Sequence, residues 1–356
     1  MIREAISKVV DGDGLTEAEM EESMGEIMTG KATPAQIGAF ITALRIKGET
    51  VEEITGAARV MRAKAARLAT GDHSVDTGWD EPVAGGGPIL DTCGTGGDNA
   101  NTFNVSTATA FVAAGGGVRV AKHGNRAVSS QCGSADVLET IGVKLDIAHA
   151  DVGECLREVG IGFLFAPLFH GAMKYAAGPR KEIGLRTIFN ILGPLTNPAG
   201  ATCQLLGVYR QDLTEKLARV LGRLGILQAF VVCGEGKFDE ISICGPTRMS
   251  HLKDDSVRSF DISPEDYGFE LATPDKIEGG DVKQNTQIML EILDGRMGPK
   301  RNMVLLNSAA AFVAAGLDVG FDEGIQRASD SIDSGRAREK LDALVRFTRG
   351  CKSIEQ

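Results

Sequence analysis

Two strand–loop–helix passages lie close together in this chain, and each sets a polar, glycine-bearing loop between a short apolar run and a helical pattern. In the first, Ile89 and Leu90 lead into Asp91-Thr92-Cys93-Gly94-Thr95-Gly96-Gly97-Asp98, and an alanine-rich helical pattern starts at about Ser106. Glycine reaches positive φ at little steric cost and lets oxygens approach the backbone, while a helix start offers unpaired N–H groups. That order builds an anion cradle. A carboxylate would repel a phosphate, so Asp98 is expected to grip sugar hydroxyls or to work beside a cation. In the second passage, Val118-Arg119-Val120-Ala121 leads into Lys122-His123-Gly124-Asn125-Arg126, then Ser129, Ser130 and a helix near Ser134. Cations and donors thus fall at the carboxyl end of a neighbouring strand, the edge where open α/β sheets bind ligands. One glycine cluster is most often a tight turn. Two polyanion loops on consecutive strands constrain the chain to an α/β sheet with its site at one edge.

The remaining pattern fits that frame. Strands are expected at 89–93, 118–121, 161–166, 204–208, 229–233 and 249–252. Helices are expected at 106–114, 134–141, 151–159, 213–224, 282–293, 302–316 and 335–348. Such alternation argues a mainly parallel central sheet flanked by helices. Residues 1–70 are helical in pattern instead. Thr16 with Glu19 three residues on reads as a capped start, Thr33-Pro34 opens a helix continuing to Lys47, and another runs from about Val51 to Leu68. Ile37, Phe40, Ile41 and Leu44 recur at helical spacing, and part of that apolar face is expected to serve as a dimer surface. From Thr70 to Gly87 the chain is polar and glycine-rich, as a linker or hinge. The expected organisation is a small helical domain over 1–70, a linker over 71–87 and an α/β domain over 88–356, with helices from about 168–190 joining the first domain.

With 356 residues, 43% of them hydrophobic, the chain has material for two domains. No apolar stretch is long enough to span a bilayer, and Met1 to Ala5 opens directly into a helical pattern without a signal-peptide core. Seven cysteines form no C-x-x-C, so reduced thiols in a cytoplasmic protein are expected. Cys93, at the end of a strand, reads as a small buried residue rather than a nucleophile. A formal net charge of −10 argues against nucleic acid as a partner. An acidic chain that holds a polyphosphate needs a local cationic loop and a divalent metal.

Candidates for the metal follow the strand-like Phe230-Val231-Val232-Cys233, where the loop Gly234 to Phe238 leads into Asp239-Glu240. Adjacent acids on a strand face opposite sides. On a loop they can converge on hydrated Mg²⁺, which takes a few carboxylates and shares its other positions with substrate phosphates. Taken alone, the pair reads first as a solvated acidic turn. His170 stands in an apolar segment and Arg180 in Gly178-Pro179-Arg180; either could be structural on local pattern. His73, His149 and His251 have no company that suggests chemistry.

GTGGD at 94–98, Asn104 to Thr107, KHGNR at 122–126 and the Asp239-Glu240 pair together resemble the anthranilate phosphoribosyltransferases. The resemblance extends over nearly the whole chain, through Ala35 to Phe40, Lys47 to Thr50, the run Arg186 to Pro198, and Asn285 and Asn307. It implies transfer of a phosphoribosyl group from 5-phosphoribosyl 1-diphosphate to the amine of anthranilate, releasing diphosphate. It places the diphosphate substrate on Gly94, Gly96, Gly97, Asp98, Thr102, Asn104, Val105, Ser106 and Thr107 of the first passage. From the second it adds Lys122, His123, Gly124, Asn125, Arg126, Ser129, Ser130 and Ser134, with Lys122 and Arg126 acting electrostatically. Anthranilate is assigned to Gly94, His123, Asn125, His170 and Arg180, where an arginine fork suits a planar carboxylate. Magnesium, as two ions per subunit, is assigned to Asp239, Glu240 and Ser106. A homodimer through the N-terminal helices is expected from the apolar face around Ile37, Phe40 and Leu44.

The chain departs from the family's usual pattern at Gly171 (commonly proline), Gln131-Cys132 (commonly Lys-Ser), Cys233 (often histidine) and Phe238 (commonly aliphatic), and its 70–87 segment is longer. The loss of a lysine at 131 bears on phosphate binding, and Gly171 on the anthranilate side. The implied chemistry needs no strong base, because the anthranilate amine is already nucleophilic and diphosphate leaves readily once its charge is neutralised. The alternatives are a pyrimidine nucleoside phosphorylase-like enzyme and a non-catalytic relative that binds nucleotides or nucleic acid. KHGNR with the acid pair favours a diphosphate substrate over the first, and the acidic composition disfavours the second. A P-loop NTPase is excluded, since GTGGD lacks the Gly-Lys-Ser/Thr ending.

Overall fold

The computed structural model describes residues 1–68, 87–97, 101–127, 131–317 and 320–354. Residues 71–86 of the expected linker, and the site candidates Asp98, Ser129 and Ser130, lie outside the described residues. Four helices open the chain: α1 (Ile2–Val10), α2 (Glu17–Met28), α3 (Pro34–Lys47) and α4 (Val51–Lys64). Thr16, Thr33 and Thr50 each accept the backbone N–H three residues on, and Glu19, Gln36 and Glu53 return a bond to the cap. Each such cap stabilises a helix start by about 0.5–2 kcal/mol. The last of these helices stops at Lys64 rather than Leu68. Ala65 turns extended, and the N–H groups of Ala66 and Leu68 donate to the carbonyls of Phe169 and Pro198. Those tertiary bonds replace the helical ones.

The α/β part begins with β1 (Ile89–Gly94), α5 (Val105–Gly115), β2 (Arg119–Gly124), α6 (Ser134–Ile141), α7 (His149–Glu158) and β3 (Ile161–Phe165). Three short helices follow, α8 (Ala166–Phe169), α9 (Lys174–Ile183) and α10 (Phe189–Leu192). Then come β4 (Cys203–Gly207), α11 (Leu213–Arg223), β5 (Gln228–Gly234), β6 (Thr247–Lys253) and β7 (Ser256–Ile262). Helices α12 (Val282–Leu293), α13 (Pro299–Ala314), α14 (Phe321–Asp333) and α15 (Arg336–Gly350) complete the order. Seven strands form one sheet in the order β3-β2-β1-β4-β5-β6-β7. Strands β1 to β5 run parallel, and β6 and β7 are added antiparallel. The fold is the expected one, a small helical unit beside a larger, mainly parallel α/β unit.

Strand order reverses between β1 and β4, which opens a crevice at their carboxyl ends. The glycine passage 94–97 and Gly207 both lie there. One face of the sheet is covered by α5, α12 and α13, the other by α11 together with the N-terminal helices. Helix α5 is buried along nearly its whole length, which explains its Ala, Val and Thr content.

The face of α3 expected to form a dimer surface is occupied within the chain. Ile37, Phe40, Ile41 and Leu44 are all at most 1% exposed, packed with α1 and α9 in one apolar cluster. Returning helices supply the core that a short helical domain lacks by itself. Strand β7 and helix α14 were not expected. β7 is a polar edge strand with Arg258 and Asp261 outward, and α14 carries its apolar residues as a narrow stripe (Phe321, Ile325, Ala328, Ile332) among Asp and Ser, so neither shows a wide apolar face. No helix of the described residues is long and apolar enough to cross a membrane.

Candidate active site

Gly96 and Gly97 take φ of 64° and 72°, the left-handed region where a side chain is disfavoured. This turn meets the acid pair directly. The Gly96 N–H donates to Asp239 Oδ2 at 2.7 Å, and the Ser106 N–H, at the start of α5, donates to Glu240 Oε1 at 3.0 Å. Small residues permit the approach. A Cβ on Gly94 would lie 2.3 Å from Asp239 Oδ2, and one on Gly207 only 1.5 Å from the Asp239 carbonyl oxygen. The acids sit on a loop, as their spacing after β5 predicted. A tight turn returns the Gly234 N–H to the Phe238 carbonyl, with Phe238 buried beneath. Beyond the pair, fully buried Asn307 of α13 accepts the Ile241 N–H at 3.0 Å and donates to the Ile241 carbonyl at 2.9 Å. One amide therefore fixes the exit of the acid loop.

From β2, buried Lys122 reaches across the same turn. Its Nζ donates to the Thr92 carbonyl and, at 3.1 Å, to Ser106 Oγ. The Thr92 hydroxyl donates to the Ser106 carbonyl at 2.9 Å. Lysine, serine hydroxyl, two backbone N–H donors and two carboxylates thus form a single network at the crevice. Thr107, one residue deeper in α5, is buried with no hydrogen-bond partner for its hydroxyl among the described residues. Asn104 ties the start of α5 to the Cys132 carbonyl at 3.4 Å, Val105 is buried, and Thr102 bridges to Glu278 near α12.

His123 and His170 meet, with their Nε2 atoms 3.2 Å apart. Burial pushes the His123 pKa down to about 3, with His170 and Lys122 adding to the effect. Burial also holds His170 at about 4. Both rings are neutral near pH 7, one donating to the other. Beneath them, Asp91 accepts the backbone N–H of His123 at 3.2 Å, and burial raises its carboxyl above the ordinary range. Arg126 is exposed and turned onto α6, paired with Glu139 at 2.7 Å and Asp136 at 3.2 Å. Gly124 packs on Ser134, and the carbonyl of exposed Asn125 accepts the Ala135 N–H at 3.2 Å. Arg180, on α9, is half-buried with its guanidinium over the Phe189 ring at 5.1 Å, and burial lowers its pKa. The Cys93 thiol is buried and pushed well above its usual pKa, the reverse of an activated nucleophile.

No sequence signal marks a role for Arg186, although it opens the Arg186–Pro198 run. Its Nη2 donates to the Gly96 carbonyl at 2.7 Å and its guanidinium lies 3.9 Å from the centre of the Tyr209 ring. A Cβ on Gly97 would fall 1.1 Å from Nη1. A lone cation between two helices carries no periodic or motif signal. Only the fold brings it to the glycine turn.

Two family descriptions match the chain, "Glycosyl transferase family, helical bundle domain" over residues 3–65 and "Glycosyl transferase family, a/b domain" over residues 86–338. The chain is 56% identical to the anthranilate phosphoribosyltransferase of Geotalea uraniireducens and 57% identical to that of Geobacter sulfurreducens; each match spans 98% of this chain and 99% of the relative. Its structure is similar to the crystal structure of anthranilate phosphoribosyltransferase from Thermus thermophilus, with a TM-score of 0.88 at 40% identity over 97% of this chain and 99% of that one. It also resembles the Saccharomyces cerevisiae enzyme in complex with PRPP and Mg, with a TM-score of 0.86 at 27% identity over 98% of both chains. With the cradle, the acid loop and full-length relatives in agreement, the chain belongs to the anthranilate phosphoribosyltransferase family.

Proposed function

We propose that the crevice at the carboxyl ends of β1, β2 and β5 is where this family member transfers phosphoribosyl from 5-phosphoribosyl 1-diphosphate to the amine of anthranilate. The reaction yields N-(5-phosphoribosyl)anthranilate and diphosphate, the second step of tryptophan formation from chorismate. The observation that carries the reading is the docking of Asp239 and Glu240 on the N–H groups of Gly96 and Ser106. Anion donors and cation acceptors already meet there.

The chemistry of the donor set fits magnesium. Asp239, Glu240 and the Ser106 hydroxyl are hard oxygen donors, and Asp239 can seat against the glycine turn because residues 94 and 207 lack a Cβ. Bound there, the ion would neutralise charge on the departing diphosphate. Two ions per subunit is the stoichiometry we infer, one on the acid pair and one at Ser106. Lys122 and the amides around Gly96 and Ser106 bind phosphate oxygens, joined by Gly94, Gly97, Thr102, Asn104 and Thr107, while Asp98 takes the sugar hydroxyls. Asn125, Arg126, Ser129, Ser130 and Ser134 supply further donors; for Arg126 that requires turning from Glu139. Arg180 receives the anthranilate carboxylate, and neutral His123 and His170 line the aromatic end without protonating the amine.

Residues 1–70, with the helices of about 168–190, we take as a helical domain joined by 71–87 to an α/β domain over 88–356. The exposed apolar residues Val10, Ile46 and Tyr175 support a homodimer through this domain, and light scattering that finds an active monomer at micromolar concentration argues against it. Seven free cysteines suit a cytoplasmic setting. The deciding assay follows loss of anthranilate fluorescence with purified protein, 5-phosphoribosyl 1-diphosphate and Mg²⁺. Turnover that needs all three supports the reading, and a folded protein without turnover overturns it.

A further inference from the structure

Arg186 faces two neighbourhoods. One is the glycine turn. The other is a cavity of about 240 Å³ between the α3–α4 turn, the start of α11 and the segment before α10. Its walls include Arg45, Lys47, Arg186, Arg210 and Lys216, against one lining carboxylate, Glu49. Two of those cations have partners outside the lining, Lys47 with Glu53 at 2.9 Å and Arg210 with Asp212. Lys216 donates to the Glu49 carbonyl at 2.6 Å and makes no ion pair among the described residues, acting only at longer range on Asp212. Arg45 makes no hydrogen bond or ion pair among the described residues. The wall therefore stays net positive in a chain whose net charge is −10.

A second, independent feature points to a ligand. Thr187 lines the cavity, is only 5% exposed, and its hydroxyl has no hydrogen-bond partner among the described residues. Arg186 Nε is likewise buried and unpaired. Buried polar groups without partners are uncommon, because they forgo water and gain nothing in exchange. Two at one cationic cavity call for an acceptor. The volume lies below the about 300–1,000 Å³ of pockets that hold drug-sized ligands, so the acceptor is small.

We propose that this cavity is a second anion site, separate from the diphosphate cradle, that takes a small phosphate-class oxyanion. Arg186 is its wall on the cradle side. The ion accepts from Arg186, Thr187 and the cations at 45 and 216, while the bond from Arg186 to Gly96 stays in place. Free orthophosphate and the diphosphate released by the reaction share this chemistry.

Calorimetric titration of the full-length protein tests the proposal, with orthophosphate, diphosphate and benzoate as probes. Each is run with the protein alone and with the protein saturated by 5-phosphoribosyl 1-diphosphate and Mg²⁺, anthranilate being withheld. Saturable orthophosphate binding is expected in both conditions, within threefold in affinity. Diphosphate binding to the saturated protein more tightly than orthophosphate identifies the product as the source, and the reverse order identifies free phosphate. Arg45→Gln with Lys216→Gln should weaken orthophosphate at least tenfold, and Thr187→Val should weaken it while keeping shape and melting temperature. A Lys122→Met variant, altered only in the cradle, should keep the orthophosphate affinity that the parent shows with its cradle filled, so loss of the diphosphate substrate there leaves this site readable. Absence of saturable binding, displacement of orthophosphate by the cradle's ligand, unchanged affinity in all cavity variants, or a preference for benzoate overturns it.

Discussion

At the scale of the residue, the site depends on what is missing as much as on what is present. Gly207 contributes no side chain to the crevice, yet a methyl group there would lie 1.5 Å from the Asp239 carbonyl. That neighbour is backbone and cannot swing away. Gly207→Ala should therefore cost about 1–3 kcal/mol by overpacking and lower turnover more than tenfold by pushing the acid loop off Gly96. Thermal unfolding and the fluorescence assay read the two effects separately; a variant as stable and active as the parent would show that the loop adapts. Arg180→Ala should raise the KM for anthranilate at least tenfold and leave that for 5-phosphoribosyl 1-diphosphate within twofold. A defect in the diphosphate substrate alone would move Arg180 to the other end of the site. Both glycine turns, Lys122 and the acid pair were legible because spacing and residue type announce them. Arg186 was not, since its importance comes from a contact across 90 residues.

Among elements, legibility followed burial. Strands β1 to β5 show apolar runs because helices cover both faces. β7 is an exposed edge whose side chains alternate weakly, and α14 presents only Gly324, Ala328, Ser331 and Ile332 as buried positions. The period of an element is visible only when a wide apolar face must be hidden. The junction of β2 with the α8 region carries a pH signature. The neutral His123–His170 pair has folded pKa values of about 3 and about 4, against about 6.5 for an unfolded histidine. Below pH 6.5 the unfolded chain binds more protons, so stability falls as pH drops towards these folded values; above pH 6.5 the pair adds no slope. Asp91, raised by burial, works in the opposite sense. Replacing His170 by Asn should flatten the acid limb of melting temperature against pH between 6.5 and 4.5. An unchanged slope would assign acid sensitivity to other groups.

For the whole molecule, the sheet's function is to bring chain segments more than 130 residues apart into one hydrogen-bonded ring, as Ser106 and Glu240 show. The helical unit is part of this frame. Through α3 and α9 it encloses the segment that delivers Arg180 and Arg186. Two of the ring's bonds join opposite kinds of ligand site. The donors of Gly96 and Ser106 suit an anion, and the acceptors of Asp239 and Glu240 suit a cation. Neither half can be drawn to its ligand without releasing the other. Magnesium and the diphosphate substrate should then be thermodynamically linked, each raising the other's affinity by the same factor. Binding measured at low and saturating magnesium gives that factor one way, and magnesium titration with and without the substrate gives it the other way. In Asp239→Asn with Glu240→Gln the factor should fall towards one and turnover by orders of magnitude, while the fold persists. Full coupling in that variant would break the linkage. If it holds, the protein's own carboxylates act as tethered competitors for the cradle, and metal sets the concentration at which they yield.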